Sequence, residues 1–301
     1  MSERSPAVMI VNPRAGRLRA GSVDRLVAIL RERYSLVVLE CGDLRELART
    51  AREATGRADT VIAVGGDGTV SRVATGILGT EARLAVLPGG STNHIARLLG
   101  MPTSLVAAAR ALAGPTRLRR LDVGCAGQQA LLFLGGVGVD ALIVRDAPAT
   151  VKRFLAWVGY IPPGLRHLQD GPWHVQVSVD GTVVEVTART VLVANGSFLV
   201  HPWFRVGRDI SPDDGLLDVC IYSPARFVDW VTIGLWMLAG QIHRSRHVRQ
   251  LRGRSVAIRT SPPAPVEIDG DYLGEGDLSI TMCPAALTVV VPAGARGVGE
   301  D

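Results

Sequence analysis

Short apolar runs alternate with amphipathic stretches through the first third of the chain. Four runs rich in Val, Leu and Ile lack polar alternation, as buried parallel strands do: residues 7–11, 36–40, 60–64 and 84–87. Between them, apolar residues recur at three- and four-residue spacing, as from Val23 to Leu30. This order predicts an α/β fold with a doubly wound parallel sheet over residues 1–118.

From residue 119 onward the pattern becomes that of an antiparallel sheet. Residues 174–186 alternate on both sides of Asp180-Gly181, which is a strong signal for a two-residue hairpin. Further apolar runs follow, separated by Pro- and Gly-rich joints, and two helical inserts are predicted at residues 150–169 and 225–244. We therefore expect an all-β sandwich domain over residues 119–290 and a short tail over 291–301.

Composition supports two domains and restricts the chemistry. The chain has 301 residues, a net charge of +5 and a single lysine, Lys152, so anions must be bound by arginine or backbone N–H groups. Four widely spaced cysteines, Cys41, Cys125, Cys220 and Cys283, lack the spacing of zinc or redox motifs and are predicted to be buried free thiols. With no signal-peptide pattern and no spanning segment, we expect a cytoplasmic protein.

Three glycine-containing loops follow predicted strands at residues 11–16, 65–69 and 88–97. Glycine lets phosphate oxygens approach backbone N–H groups, and a helix N-terminus adds favourable charge. Asp67 within the second loop would repel a phosphate unless Mg²⁺ lies between them or the carboxylate accepts a proton. A Walker A loop is excluded because no lysine is present here, and Ser71 replaces the third glycine of a dinucleotide fingerprint.

Each motif also has a purely structural interpretation. The glycines around Asp67 could form a tight turn, and Asp269-Gly270 could be an ordinary hairpin turn. Residues 136–141 fit the pattern GxGxxA, but they follow a strand of the β domain, so a glycine-rich bend is the alternative. Asp271, a second acid directly after the Asp269 turn, favours a catalytic role there.

The motifs NPRAG, GGDGTV, LPGGSTNHIARLLGMP, GVGVDA, SPDDGLLDV and EIDGD occur in an order that resembles the bacterial diacylglycerol kinase and sphingosine kinase lipid kinase family. The resemblance covers nearly the whole chain, although GGDGT alone is shared with NAD kinases. It implies an ATP- and Mg²⁺-dependent kinase acting on a hydroxyl of diacylglycerol or a related lipid. The chain departs from the family pattern at Ser71, Arg72, His94 and Asp271, where Asn, Glu, Asp and Glu are usual.

The resemblance also implies roles for individual residues. Those assigned to nucleotide binding are Asn12, Pro13, Arg14, Ala15, Gly16, Gly65, Gly66, Asp67, Gly68, Thr69, Ser91, Thr92 and Asn93. Asp269 and Asp271 lie in the segment given the proton-acceptor role, and Asp67 is the third catalytic candidate. A structural Mg²⁺ is implied at the Asp214 carboxylate, beside the carbonyl groups of Ser211 and Leu216.

Charge patterning suggests a membrane surface as partner. Residues 230–266 contain no acid, and arginines follow the predicted apolar helix at Arg244, Arg246, Arg249, Arg252 and Arg254. Nucleic acid is not expected because no recognition motif or interleaved aromatic pattern is present. We expect peripheral contact with anionic lipid, and a homodimer is left open. The alternatives are a soluble-substrate kinase of NAD kinase type and a catalytically drifted nucleotide- or lipid-binding protein.

Overall fold

The computed structural model describes residues 4–147, 161–199 and 204–295. The chain divides into two compact units, Met1–Leu121 with Ala285–Asp301, and Asp122–Pro284. Most of the predicted helical insert at 150–169 lies outside the described residues. The predicted boundary after residue 118 falls three residues before the observed division.

The first unit is built on four parallel strands: β1 Ser5–Val11, β2 Tyr34–Glu40, β3 Thr60–Gly65 and β4 Arg83–Pro88. They pair in the order β2–β1–β3–β4. Five helices connect or follow them: α1 Ser22–Leu30, α2 Leu44–Thr55, α3 Asp67–Ile77, α4 His94–Leu98 and α5 Leu105–Ala113. Every residue of β3 is buried, as its unbroken apolar run requires. The predicted α/β domain is confirmed.

The second unit consists mainly of antiparallel strands. The remaining strands are β5 Thr116–Ala126, β6 Gln129–Leu131, β7 Leu134–Gly138, β8 Trp173–Val179, β9 Thr182–Ala188, β10 Thr190–Ala194, β11 Leu217–Tyr222, β12 Val248–Gly253, β13 Ser255–Ser261, β14 Ala264–Ile268, β15 Asp271–Gly276 and β16 Leu278–Pro292; β5 begins and β16 ends in the first unit. Its helices are α6 Val139–Asp146, α7 Ile161–His167, α8 Phe227–Leu238 and a 3₁₀ turn at Ile242–Arg244. The hairpin predicted at Asp180-Gly181 joins β8 to β9.

The strands of this unit form two sheets that share a core. One sheet has the order β9–β8–β13 and continues into the first part of β16, and the other has the order β12–β11–β10–β7–β14–β15. Val177 and Ile258 of the first sheet belong to one buried cluster with Val193 and Ile268 of the second. Side chains alternate along a strand, so Cys220 of β11 points to the opposite face and packs with α8. The predicted antiparallel β domain is confirmed.

The last strand explains why the unit boundary differs from the sequence pattern. Leu278 and Ile280 of β16 pair with β13 in the second unit. Thr288 and Val289 of the same strand pair in parallel with β4 in the first unit. A continuous apolar run cannot reveal that its two halves have different neighbours. Residues 285–290, which we expected in the β domain, are therefore grouped with the first unit.

The cysteines differ in part from expectation. Cys41 and Cys220 are buried free thiols, as predicted. Cys125 and Cys283 form a disulfide, so the prediction of free thiols is wrong for this pair. They are 158 residues apart in sequence and are brought together by strand neighbours in the second unit, which spacing alone does not reveal. Across the described ranges, no helix is both long and apolar enough to cross a bilayer.

Candidate functional site

The first loop of the first unit is fixed by a buried asparagine. Asn12 directly follows β1, and its Nδ2 donates to Oγ1 of Thr69 at 2.9 Å. Its Oδ1 accepts the N–H of Arg14 at 3.0 Å, which turns the chain back on itself. Asn12 and Thr69 are both almost fully buried, whereas Arg14 is exposed. The loop is therefore tied to the start of α3, with the Arg14 side chain left accessible.

The glycines of the second and third loops allow two backbones to pass each other closely. A Cβ on Gly90 would lie 2.5 Å from Cα of Gly66, and a Cβ on Gly89 would lie 3.1 Å from Cα of Gly65. The N–H of Gly89 donates to the carbonyl of Gly65 at 2.7 Å. A Cβ on Gly65 would also lie 2.5 Å from the Thr69 side chain. Steric crowding alone therefore requires glycine at these positions, with or without a ligand.

The third loop is closed by its own asparagine. Asn93 has a left-handed backbone with φ of 52°, a conformation that Asn tolerates better than most residues. Its Oδ1 accepts the N–H of Gly90 and its Nδ2 donates to the carbonyl of Gly90, both at 2.8 Å. Asn93 as a whole residue is only 2% exposed to solvent. Asn93 therefore shapes the loop with the same atoms that a nucleotide contact would need.

Asp67 links the second loop to the third. It is the first residue of α3, and its Oδ2 accepts a hydrogen bond from Oγ1 of Thr92 at 2.9 Å. Its Oδ1 accepts the N–H of Ile95 in the first turn of α4, also at 2.9 Å. Each carboxylate oxygen has two lone pairs, so both retain acceptor capacity. The carboxylate is thus held in one orientation beside the start of α3.

The start of α3 has the properties of an anion site. The N–H groups of Asp67, Gly68 and Thr69 precede the first intrahelical bond, which runs from Val70 to Gly66. Among the described residues, no side chain caps this turn. N–H groups without an intrahelical acceptor and the helix dipole favour a bound phosphate, and Arg14 lies in the neighbouring loop. The three predicted nucleotide loops are therefore joined by hydrogen bonds into one cluster around this helix end.

In the second unit, Asp269 occupies the turn between β14 and β15. Asp269 and Gly270 have φ of 49° and 85°, as a two-residue hairpin turn requires. The Asp269 carboxylate accepts three backbone N–H groups, from Leu132 at 2.8 Å, Phe133 at 2.9 Å and Leu134 at 3.1 Å. It is 7% exposed. Asp269 therefore links this turn by hydrogen bonds to residues 132–134, where β7 begins.

Asp271 has a different environment, although it lies two residues away. It is the first residue of β15 and is partly exposed. The next residue, Tyr272, lies under the guanidinium of Arg145, 5.8 Å from the ring centroid. Of the two acids predicted as proton acceptor, Asp271 is thus the more accessible.

Two buried acids that the sequence analysis did not single out lie in the same unit. Oε2 of Glu267 accepts the N–H of Gly270 at 2.8 Å, so this side chain supports the Asp269 turn. Burial, and then the neighbouring Asp140, raise the pKa of Glu267 well above its usual range. Burial raises the pKa of Asp140 to about 6. One acid in the otherwise apolar strand APVEI was the signal that could have identified Glu267.

The loop predicted to hold a structural Mg²⁺ contains a protein cation instead. Oδ2 of Asp214 is bonded to the guanidinium of Arg252, whose Nε lies 2.9 Å from Oδ1 of the buried Asp218. Oδ1 of Asp214 accepts the N–H of Leu216 at 3.1 Å. Within the part of the chain that the structure describes, no group of three acids, histidines or cysteines could hold a metal. The Asp214 carboxylate is paired with Arg252 in this structure, and the Mg²⁺ site at Ser211, Asp214 and Leu216 stays a prediction.

His94 is the half-buried first residue of α4. Trp230 and Trp236 of α8 are partly buried and pack against the buried cluster that includes Cys220 and Ile233.

Family models match both parts of the chain. Residues 6–126 match the diacylglycerol kinase catalytic domain. Residues 136–291 match the YegS C-terminal NAD kinase β-sandwich-like domain.

Curated relatives extend over most of the chain. A Pseudomonas aeruginosa protein named "Probable lipid kinase YegS-like" is 31% identical over 88% of this chain and 86% of its own length. The diacylglycerol kinase of Bacillus subtilis is 28% identical over 76% of this chain and 77% of its own length. Among solved structures, a diacylglycerol kinase from Bacillus anthracis superposes with a TM-score of 0.80 at 22% identity, covering 98% of this chain and all of that one. This last similarity concerns the fold alone.

Proposed function

Because the chain belongs to the family of diacylglycerol kinase-like lipid kinases, we propose that it transfers the γ-phosphate of Mg²⁺-bound ATP to a hydroxyl of diacylglycerol or a related lipid. The family is one of phosphotransferases. The observation that carries the proposal is the loop cluster of the first unit, where helix N–H groups without an intrahelical acceptor, crowded glycines and the Asp67 carboxylate lie together.

In this proposal the start of α3 binds phosphate oxygens of the nucleotide. The N–H groups of Gly68 and Thr69 supply hydrogen bonds, and Arg14 supplies the positive charge that a lysine provides in other nucleotide loops. Asp67 would hold the Mg²⁺ that accompanies ATP, which would neutralise the repulsion between this carboxylate and the phosphates. Thr92 and Ile95 hold that carboxylate in place. Phosphoryl transfer depends mainly on positioning and charge neutralisation, so these groups suffice for the nucleotide side.

We assign the proton-acceptor role to Asp271 and a structural role to Asp269. A base needs access to the attacking hydroxyl. Three N–H groups already occupy the Asp269 carboxylate, and the residue is 7% exposed. Asp271 is partly exposed and immediately follows the turn that Asp269 and Glu267 fasten. The hydrogen bonds of Asp269 and Glu267 thus fix the backbone from which the Asp271 side chain extends, and this side chain is shorter than the Glu that is usual in the family.

The test is a transfer assay with radiolabelled ATP and the purified full chain. Dioleoylglycerol in mixed micelles should yield labelled phosphatidic acid, whereas NAD should yield no labelled product. Transfer to NAD but not to the lipid would establish the soluble-substrate alternative, and transfer to neither would favour a drifted binding protein.

A variant pair tests the nucleotide site itself. Asp67→Asn removes the charge that binds Mg²⁺ but keeps an oxygen for Thr92 or Ile95, so turnover should fall roughly 10²-fold with a raised Mg²⁺ requirement. Asp59→Asn is the matched control, because Asp59 is exposed just before β3 in the same unit. Equal turnover and equal Mg²⁺ dependence in the two variants would remove Asp67 from the mechanism.

A further inference from the structure

Helix α8 presents a continuous apolar face to solvent. Five of its apolar side chains are between 47% and 61% exposed: Phe227, Val228, Val231, Leu235 and Leu238. At 100° per residue, these positions occupy an arc of about 100° on the helix circumference. The opposite arc carries Asp229, Ile233 and Met237, which are buried. We call the exposed arc the outer face of α8.

Among the residues that the structure describes, no charged group interrupts the outer face. Asp229 is the only charged residue of α8, and it is 8% exposed. Its Oδ2 accepts the N–H groups of Ala225 at 2.9 Å and Arg226 at 2.8 Å, and its Oδ1 lies 3.4 Å from Nε2 of His247. A helix on a water-exposed surface normally places polar residues outward. A helix that is apolar on both sides is instead suited to an apolar medium on its outer side.

Exposed arginines adjoin α8, and Arg246 lies near its N-terminal end, because its Nε donates to Nε2 of His247, which is 3.4 Å from Oδ1 of Asp229. Arg226 directly precedes α8, and Arg244 and Arg246 follow it in and just after the 3₁₀ turn. We call these three residues the cationic rim. Arg252 of the predicted basic run does not contribute in the same way, because it is bonded to Asp214 and Asp218. An apolar face with cationic side chains beside it is complementary to an anionic bilayer surface, with acyl chains below and phosphates above.

We propose that the outer face of α8 inserts into the headgroup region of an anionic membrane, with the cationic rim on the lipid phosphates. The inference rests on the proposed function, because a lipid kinase must reach a substrate that resides in a bilayer. A second copy of the chain fits the same face less well. Parallel pairing of two outer faces would bring one cationic rim against another, and like charges oppose such a contact, whereas lipid phosphates attract the rim.

The experiment measures co-sedimentation of the full chain with two kinds of vesicle. One contains only phosphatidylcholine, and the other contains about 30 mol% phosphatidylglycerol, an anionic lipid. We expect strong binding to the anionic vesicles, weaker binding to the zwitterionic ones and a decrease with added salt. The double variant Val231→Asp/Leu235→Asp should lower the partition coefficient on anionic vesicles roughly tenfold or more. Both residues are largely exposed, so the fold should persist.

A matched control places the same charges on apolar residues elsewhere. Leu118→Asp/Val183→Asp changes two side chains that are 52% and 53% exposed and lie outside α8, so its vesicle binding should equal that of the wild type. Arg244→Glu/Arg246→Glu should remove the preference for anionic vesicles. Equal losses in the α8 variant and the control, or binding that is indifferent to lipid charge, would overturn the proposal. So would a wild-type dimer that the α8 variant converts to monomer.

Turnover separates this inference from the proposed function. On a water-soluble short-chain diacylglycerol, the α8 variant should match the wild type, while its turnover on vesicle-embedded diacylglycerol should fall in proportion to lost binding. Unchanged turnover on vesicles would overturn the membrane face and leave the lipid kinase standing. Lost vesicle binding in the α8 variant, together with no lipid phosphorylation by the wild type, would support the membrane face and reject the proposed function.

Discussion

Replacing Asp269 with Asn should reduce stability far more than it alters chemistry. Oδ1 of Asp269 accepts the N–H groups of Phe133 and Leu134, and Oδ2 accepts that of Leu132. An amide offers one oxygen and one NH₂ group, so at least one N–H would face another donor. Asn tolerates the φ of 49° at this position, so backbone strain does not add to the effect. An unpaired buried donor and two weakened bonds cost about 3 kcal/mol.

Thermal unfolding provides the measurement. About 3 kcal/mol corresponds to a melting temperature lowered by roughly 6–12 °C for a unit of this size. Asp277→Asn is the matched control, because its side chain is 59% exposed and lies 4.0 Å from Arg259. An exposed pair of this kind contributes little, so the control should melt within about 1 °C of the wild type.

Asp271→Asn completes the comparison. If Asp271 accepts the proton, this variant should lose roughly 10²–10⁴-fold in kcat while its melting temperature stays near that of the wild type. The two variants therefore separate a structural acid from a catalytic one. An Asp269→Asn protein that melts like the control but has lost turnover would refute the assignment. Full turnover in Asp271→Asn would refute it equally.

Three further predictions concern other parts of the molecule. Gly90→Ala should lower the melting temperature and weaken ATP binding, because its Cβ would lie 2.5 Å from facing backbone; Gly56→Ala, with 3.6 Å of clearance, is the control for both measurements. Burial raises the pKa of Asp140 from 3.8 to about 6, so its stabilising effect is complete below about pH 4 and lost as pH rises through 6. The melting temperature of the wild type should therefore fall between about pH 4 and pH 6, and Asp140→Asn should make this fall smaller. An equal dependence of melting temperature on pH in the two proteins would contradict the prediction. Thiol titration of the unfolded, unreduced chain should find two free thiols, and Cys125→Ser should destabilise the protein by about 2–4 kcal/mol by removing the bond to Cys283.

Local periodicity was sufficient to predict most of the elements. The apolar runs became β1 to β4, and Asp180-Gly181 became the hairpin turn, because strand burial and turn geometry depend on a few consecutive residues. The order of the glycine and acid motifs identified the family, which the comparisons confirm. The apolar helix at residues 225–244 was also predicted, and it forms α8.

Only the tertiary structure decided what the motif residues contact. Whether Asp269 or Asp271 is accessible depends on where the segment at Leu132 lies, and that segment is more than 130 residues away in the chain. The same holds for Arg252, which the sequence placed in a basic run and the fold places on Asp214. The amino-acid order specifies local conformation and which faces are apolar. The partners of a buried charge are chosen by strand neighbours distant in sequence, and these exist only once the sheets have assembled.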